Sequence, residues 1–177
     1  MKINKIVNRC TEGKVEIDFY VPISIIFPEN DEPGNKLIYY RFINKQNSFV
    51  ELTVSSSGRI MEVTLLSIKD IIDQNICEMI ESNCQNKLSG NPVIDFQLAE
   101  NLNVITDQEE FKLYRAHGKI CMIKNYAQIN SVLTICDHLK ILIDSESSVV
   151  GFIFSGFSQI EWEKLNESIN FSIISDK

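Results

Sequence analysis

Along Phe49–Ile68, FVELTVSSSGRIMEVTLLSI, apolar and polar residues alternate on both sides of the polar quartet Ser55-Ser56-Ser57-Gly58. Val50, Leu52 and Val54 share one face, and Glu51 and Thr53 share the other. Past the quartet Ile60 falls in step, and Val63, Leu65 and Ile68 continue an inward face after one slip. A period of two marks a strand with one wet face, and a glycine-bearing polar break between two such runs marks a hairpin. Gly58 supplies the positive φ that a tight connection needs. The slip at Met61-Glu62 predicts a β-bulge, which absorbs one extra residue in an antiparallel pair.

The same layout returns in Leu139–Phe157, LKILIDSESSVVGFIFSGF, at an offset of 89 residues. Ile141 and Ile143 take the places of Leu52 and Val54, Val149 that of Ile60, and Phe152 and Phe154 those of Val63 and Leu65. Asp144-Ser145-Glu146-Ser147 stands where the serine quartet stood. Each hairpin leads into a Ser-x-x-acid helix start, Ser67-Ile68-Lys69-Asp70 and Ser158-Gln159-Ile160-Glu161. Leu66 with Ile71, and Phe157 with Trp162, take the staple positions around those caps. Ile68, Ile71, Ile72, Ile76, Met79 and Ile80 recur at helical spacing and predict a helix over 68–85. Ile160, Trp162, Leu165 and Ile169 predict another over 159–169. The reading is an α+β fold of antiparallel sheet with two or more helices, arranged as two pseudo-repeated β-hairpin–helix halves.

The remaining segments fill in this frame. Residues 2–8 read as a strand turning at Thr11-Glu12-Gly13-Lys14. Val15–Phe27 is β-prone but holds Pro22, which cannot donate to a ladder, so this strand lies at an edge or is interrupted there. The loop 28–35 is bracketed by prolines, and Leu37–Ile43 is a strand. Gln85–Pro92 contains Gly90 and Pro92 and reads as the boundary between halves 1–90 and 91–177 of a single domain, 1–177. Val93–Leu98 reads as a strand and Asn101–Glu110 as a polar loop. Phe111–Arg115 and Lys119–Ile123 are strands joined around Gly118. The tail NFSIISDK is left open.

Composition narrows the class. With 44% apolar residues in 177, the chain can bury about 70% of its extended surface, so disorder is excluded. No run of some 18 uncharged apolar residues occurs, so no membrane-spanning helix is expected. The N-terminus, MKINKIVNRCTEGK, lacks the apolar block of a signal peptide, and a cytoplasmic protein is expected. Five cysteines at irregular spacing, Cys10, Cys77, Cys84, Cys121 and Cys136, suit free, mostly buried thiols. A net charge of −7 disfavours direct nucleic-acid binding, which needs a basic face, and suits solubility or a basic protein partner.

Motifs for chemistry are sparse. The seven glycines build neither GxGxxG nor GxxxxGK[ST], and no CxxC or HExxH occurs. His117 with Cys121, and Cys136 with His138, form a zinc set only if their strands converge. Cys136 and His138 share a strand face with Cβ atoms about 7 Å apart, beyond hydrogen-bond contact, and Asp137 faces the other way. Neither catalysis, a metal nor a cofactor is expected.

The hairpin pattern Gly58-Arg59-Ile60-Met61-Glu62-Val63-Thr64-Leu65, in a small acidic chain, resembles immunity proteins of bacterial contact-dependent inhibition and related polymorphic-toxin systems. The second hairpin departs from it, with Ser147 in the glycine place. The resemblance implies an antitoxin that binds one cognate toxin domain, often a nuclease, and occludes its active site. Nuclease toxins tend to be basic, and an acidic inhibitor can match them. On that reading Glu29, Asp31 and Glu32 in one loop, and Asp107, Glu109 and Glu110 in another, steer and contact the partner. The alternatives are a small-molecule or peptide-binding module with a pocket between the halves, and a hydrolase using Cys136 and His138.

Overall fold

A computed structural model describes residues 1–8, 12–28, 36–95, 103–108 and 110–174, with side chains to 171. The chain runs through β1 (Lys2–Val7), β2 (Lys14–Glu16), β3 (Ile23–Ile26), β4 (Leu37–Ile43), β5 (Phe49–Ser55) and β6 (Ile60–Ser67). Then follow β7 (Ile72–Asp73), α1 (Ile76–Asn83), β8 (Asn86–Ser89), β9 (Asn91–Asp95) and β10 (Val104–Asp107). The last elements are β11 (Phe111–Ala116), β12 (Lys119–Lys124), β13 (Ser131–Cys136), β14 (Leu139–Ile143), β15 (Val149–Phe154) and α2 (Gln159–Ile174).

Alternation along the two expected hairpins builds the core. Val50, Leu52, Val54, Ile60, Val63 and Leu65 project from a six-stranded sheet, and Leu139, Ile141, Phe152 and Phe154 from a seven-stranded one, into one shared apolar cluster. The two sheets therefore form a sandwich, and the Phe42 and Phe152 rings meet edge-on across it at 5.5 Å. Each fully buried side chain of this kind contributes about 1.5–3 kcal/mol. The slip at Met61 is a bulge: Thr53 pairs with Glu62 and Val54 with Ile60, leaving Met61 as the extra residue. Trp162, Ile71 and Ile76, also expected inside, are half-buried, and Ile72 is exposed.

The turns share one device. Gly58 has φ 86°, and a side chain there would meet the Ile94 carbonyl at 2.6 Å. Ser147 holds the matching place in the second hairpin at φ 63°, and Asn47 that between β4 and β5 at φ 61°. In each turn the side-chain oxygen of the first residue accepts the backbone N–H four residues on. Asn44 takes it from Ser48 at 2.8 Å, Ser55 from Arg59 at 3.1 Å and Asp144 from Ser148 at 2.8 Å.

Two expectations are corrected. The fold is mostly β, with fifteen strands and two helices among the described residues, and its two large sheets are mixed rather than antiparallel. Among the described residues β10 runs parallel to β4, β7 to β11 and β8 to β13. The helix expected over 68–85 forms only at Ile76–Asn83. Ile68, Ile71 and Ile72 are β-branched and lose rotamer freedom in a helix. Instead Ile68 is buried in the main core, the Lys69 N–H donates to Ser48 Oγ at 3.0 Å, and Ile72 enters β7. The segment 85–92, read as the boundary between halves, carries β8, which joins the seven-stranded sheet, and the start of β9, which pairs with β1.

Both sheets repeat one connectivity. A hairpin (β2-β3 or β11-β12) precedes a three-stranded meander (β4-β5-β6 or β13-β14-β15) whose last strand pairs with the hairpin's second. Beside the first meander strand lies a parallel edge strand, and the two are crossed over. β8 lies in the later sheet and β10 in the earlier one.

The second helix follows its sequence signal. Ser158 and Glu161 form the capping box: Ser158 N–H donates to Glu161 Oε2 at 2.7 Å, and Glu161 N–H to Ser158 Oγ at 3.3 Å. Phe157 stacks on Trp162 at 6.2 Å as the staple. Leu165 and Ile169 enter the sandwich core, whereas Ile160, expected inside, is exposed. The tail left open continues α2 to Ile174. No helix among the described residues is long and apolar enough to cross a membrane.

Candidate functional site

Of the six acids expected to meet a partner, Glu29, Asp31, Glu32 and Glu109 lie outside the described residues. Asp107 ends β10, and its carboxylate meets Lys124 Nζ at 2.8 Å, both side chains at about a tenth exposure (10% and 9%). Asp107 is thus engaged between the sheets. Glu110, half-buried, stands 3.8 Å from Lys45.

The pair His117 and Cys121 does not converge with the pair Cys136 and His138. Cys121 is buried on the outer face of the seven-stranded sheet, whereas Cys136 packs against the core between the sheets. A side chain at Gly13 would meet Cys136 Sγ at 2.8 Å, so the absence of a Cβ there lets the β2 strand approach the thiol. Burial pushes the Cys136 thiol up despite backbone N–H donors from His138, Leu139 and Gly13. His138 Nδ1 donates to the Ser155 carbonyl at 3.1 Å, and its ring stacks on Phe157 at 6.3 Å. His117 is exposed in the β11–β12 turn at φ 49°. No group of three metal-ligating side chains occurs among the described residues.

A cavity of about 100 Å³ lies between residues of the two halves, lined by Val7, Phe27, Ile60, Pro92 and Ile135 with Arg59 at its wall. Pockets for drug-sized ligands run to about 300–1,000 Å³. This one holds a fragment at most, whereas an open cleft of about 710 Å³, lined by Glu12, Gly13, Ser89, Thr134, Cys136 and His138, also joins the two halves.

An exposed aromatic cluster lies elsewhere. Where Pro22 interrupts the β-prone run, the chain bends between β2 and β3 and presents Phe19 and Tyr20. Phe19 is 43% exposed, Tyr20 83%, and Phe171 on the adjoining face of α2 52%. Phe19 meets Tyr20 edge-on at 5.5 Å and Phe171 at 4.5 Å. The bend is pinned on both sides: Tyr20 N–H donates to Asp18 Oδ1 at 2.8 Å, and buried Ser168 donates to the Phe19 carbonyl at 2.9 Å. Asp18 flanks the rings directly. Glu167 stands one helical turn before Phe171, on the same side of α2. Between Gln159 and Ile174 the helix carries three glutamates and one lysine. Sequence reasoning missed this site because it placed Phe19 and Tyr20 in a strand and left Phe171 unassigned. The available signal was Asp18-Phe19-Tyr20 ahead of Pro22, a turn-forming acid before two aromatics.

No protein-family model matches the chain, and no curated protein sequence matches it.

Proposed function

We propose that the chain is a non-catalytic binding protein that neutralises a basic toxin domain by covering it, as the immunity proteins it resembles do. The carrying observation is the aromatic trio Phe19, Tyr20 and Phe171, exposed, hydrogen-bonded at the backbone of its bend and flanked by carboxylates. Aromatic side chains dominate interface hot spots, and pre-ordering them removes part of the entropy cost of association. Asp18 and Glu167 beside the rings, together with the overall charge of −7, favour a partner rich in Lys and Arg, which attract both carboxylates and ring faces. Glu110, Glu29, Asp31 and Glu32 then act through the overall charge, on association rate.

The test is co-expression with the C-terminal domain encoded by the gene immediately upstream. The reading expects rescued growth and a one-to-one complex, with Tyr20→Ala and Phe171→Ala each weakening binding about tenfold or more. Absence of rescue by the unaltered chain overturns the immunity role. Rescue and affinity that survive the double variant move the binding surface elsewhere.

A further inference from the structure

α1 lies on the outer face of the seven-stranded sheet, and the spacing of its inward residues matches that of β12 beneath it. Cys77 and Glu81 are one helical turn apart, about 6 Å along the axis, and Lys119 and Cys121 are two strand residues apart, about 6.6 Å. The two pairs meet in register. Glu81 takes salt bridges from Lys119 and Lys140, and the Cys77 and Cys121 thiols lie against each other in the same buried cluster. Both thiols are fully buried and free in one cluster with Val132, Leu142, Val150 and Ile153.

We propose that Cys77 and Cys121 form a reversible disulfide on exposure to hydrogen peroxide, clasping α1 to β12. This stands apart from the binding role and from the aromatic surface. α1 and β12 are in contact, within 8 Å Cα to Cα, and a disulfide asks for Cys77 and Cys121 Cα atoms about 5.5–6 Å apart. Cys77 is the second residue of α1, where the helix dipole favours a thiolate, and Lys119 adds positive charge beside it. The neighbouring Cys121 thiol holds the Cys77 thiol below its usual range, whereas the same neighbour and burial push Cys121 up. Position assigns the roles: Cys77, at the helix N-terminus, attacks, and Cys121, within the sheet, resolves.

The chemistry balances in two steps. Cys77 thiolate attacks one peroxide oxygen, the O–O bond breaks, and hydroxide leaves, giving the sulfenic acid. Cys121 sulfur then attacks Cys77 sulfur, the S–O bond breaks, and the oxygen leaves as water with the Cys121 proton. Two thiols are oxidised and one peroxide is reduced to two waters, once hydroxide takes up the proton lost from Cys77. α1 has eight residues and its cap, Asn75, makes no side-chain bond to the helix backbone. A helix that short is marginal alone, and its local opening admits the oxidant.

The experiment treats the full chain with hydrogen peroxide and reads intact mass, thiols titrated after denaturation, and cross-linked peptides. The expected result is loss of two hydrogens, a fall from five thiols to three, and one linked peptide pair joining Cys77 to Cys121, all reversed by dithiothreitol. The oxidised protein should also show slowed amide exchange in α1. Cys77→Ala and Cys121→Ala should each retain four thiols under the same treatment, with their urea midpoints measured to confirm folding. Five surviving thiols, a different linked pair, or oxygen added to Cys77 without a disulfide would each overturn the proposal.

Discussion

Lys124 on β12 and Asp107 on β10 close a 2.8 Å ion pair inside the sandwich, joining the edge of one sheet to the interior of the other. The Lys124 ammonium also lies 5.3 Å from the Phe42 ring centre. Buried pairs contribute little over well-packed apolar replacements, but breaking one strands the other charge. Asp107→Ala is therefore expected to cost about 3–5 kcal/mol, and the double replacement Asp107→Leu with Lys124→Met much less. Urea midpoints of the single and the double decide it. Equal losses for Asp107→Ala and the double would show that the pair itself, and not the lysine charge left behind, carries the energy.

Ser147 bears the positive φ that Gly58 takes in the first hairpin. A left-handed non-glycine residue is strained by about 1–2 kcal/mol, partly offset by glycine's greater freedom when unfolded. Ser147→Gly should raise stability by about 0.5–1 kcal/mol. Ser145→Gly, in the same exposed turn, should not. Matched denaturation curves compare them.

The α2 cap gives a third expectation. Ser158→Ala removes the hydroxyl that accepts the Glu161 N–H and should cost about 1 kcal/mol. Trp162→Ala should cost about 2 kcal/mol, below the 3–5 of a fully buried aromatic, because Trp162 is half-buried against Phe157. Losses near zero for both would mean that α2 docks through Leu165 and Ile169 alone.

Glu81 sets an acid limit. Burial raises its carboxyl pKa, but the bonds from Lys119 and Lys140 outweigh it and hold the net value below the ordinary 4.5. A folded pKa below the unfolded one gives stabilisation that is complete above about 4.5 and is lost as pH falls through the folded value. Between pH 6 and pH 3 the native chain should lose more stability than Glu81→Gln. Parallel slopes in the urea midpoints of the two would show that the triad does not report on folding.

What could be read from the sequence was what strict periodicity and local capping specify. Alternation around Gly58 and Asp144–Ser147 placed both hairpins, the bulge at Met61 and most of the core, because period two leaves one register in which every apolar residue faces inward. Ser158 and Glu161 placed the start of α2. The parallel edges were not legible. All four residues of β8 are exposed, and its place comes from main-chain bonds to β13 that side-chain patterning does not encode. The helix over 68–85 was over-read because the same isoleucines fit helical spacing and a chain threading between two sheets. The aromatic site depends on Phe19 and Phe171, far apart in sequence, meeting at 4.5 Å, and no local pattern announces such a meeting.

The crossing of β8 and β10 bears on how the molecule comes into being. When synthesis has passed β9, β8 has no host, since β13 does not yet exist, and β4 still lacks the neighbour that β10 supplies. Neither sheet is complete until the other is nearly so. The pairings that finish them join distant residues, as β8 with β13 and β10 with β4 do, which places folding in the millisecond-to-second range of high-contact-order β proteins. Two fragments made by cutting between β9 and β10 should each stay unfolded alone, and should recover the native fold only when mixed.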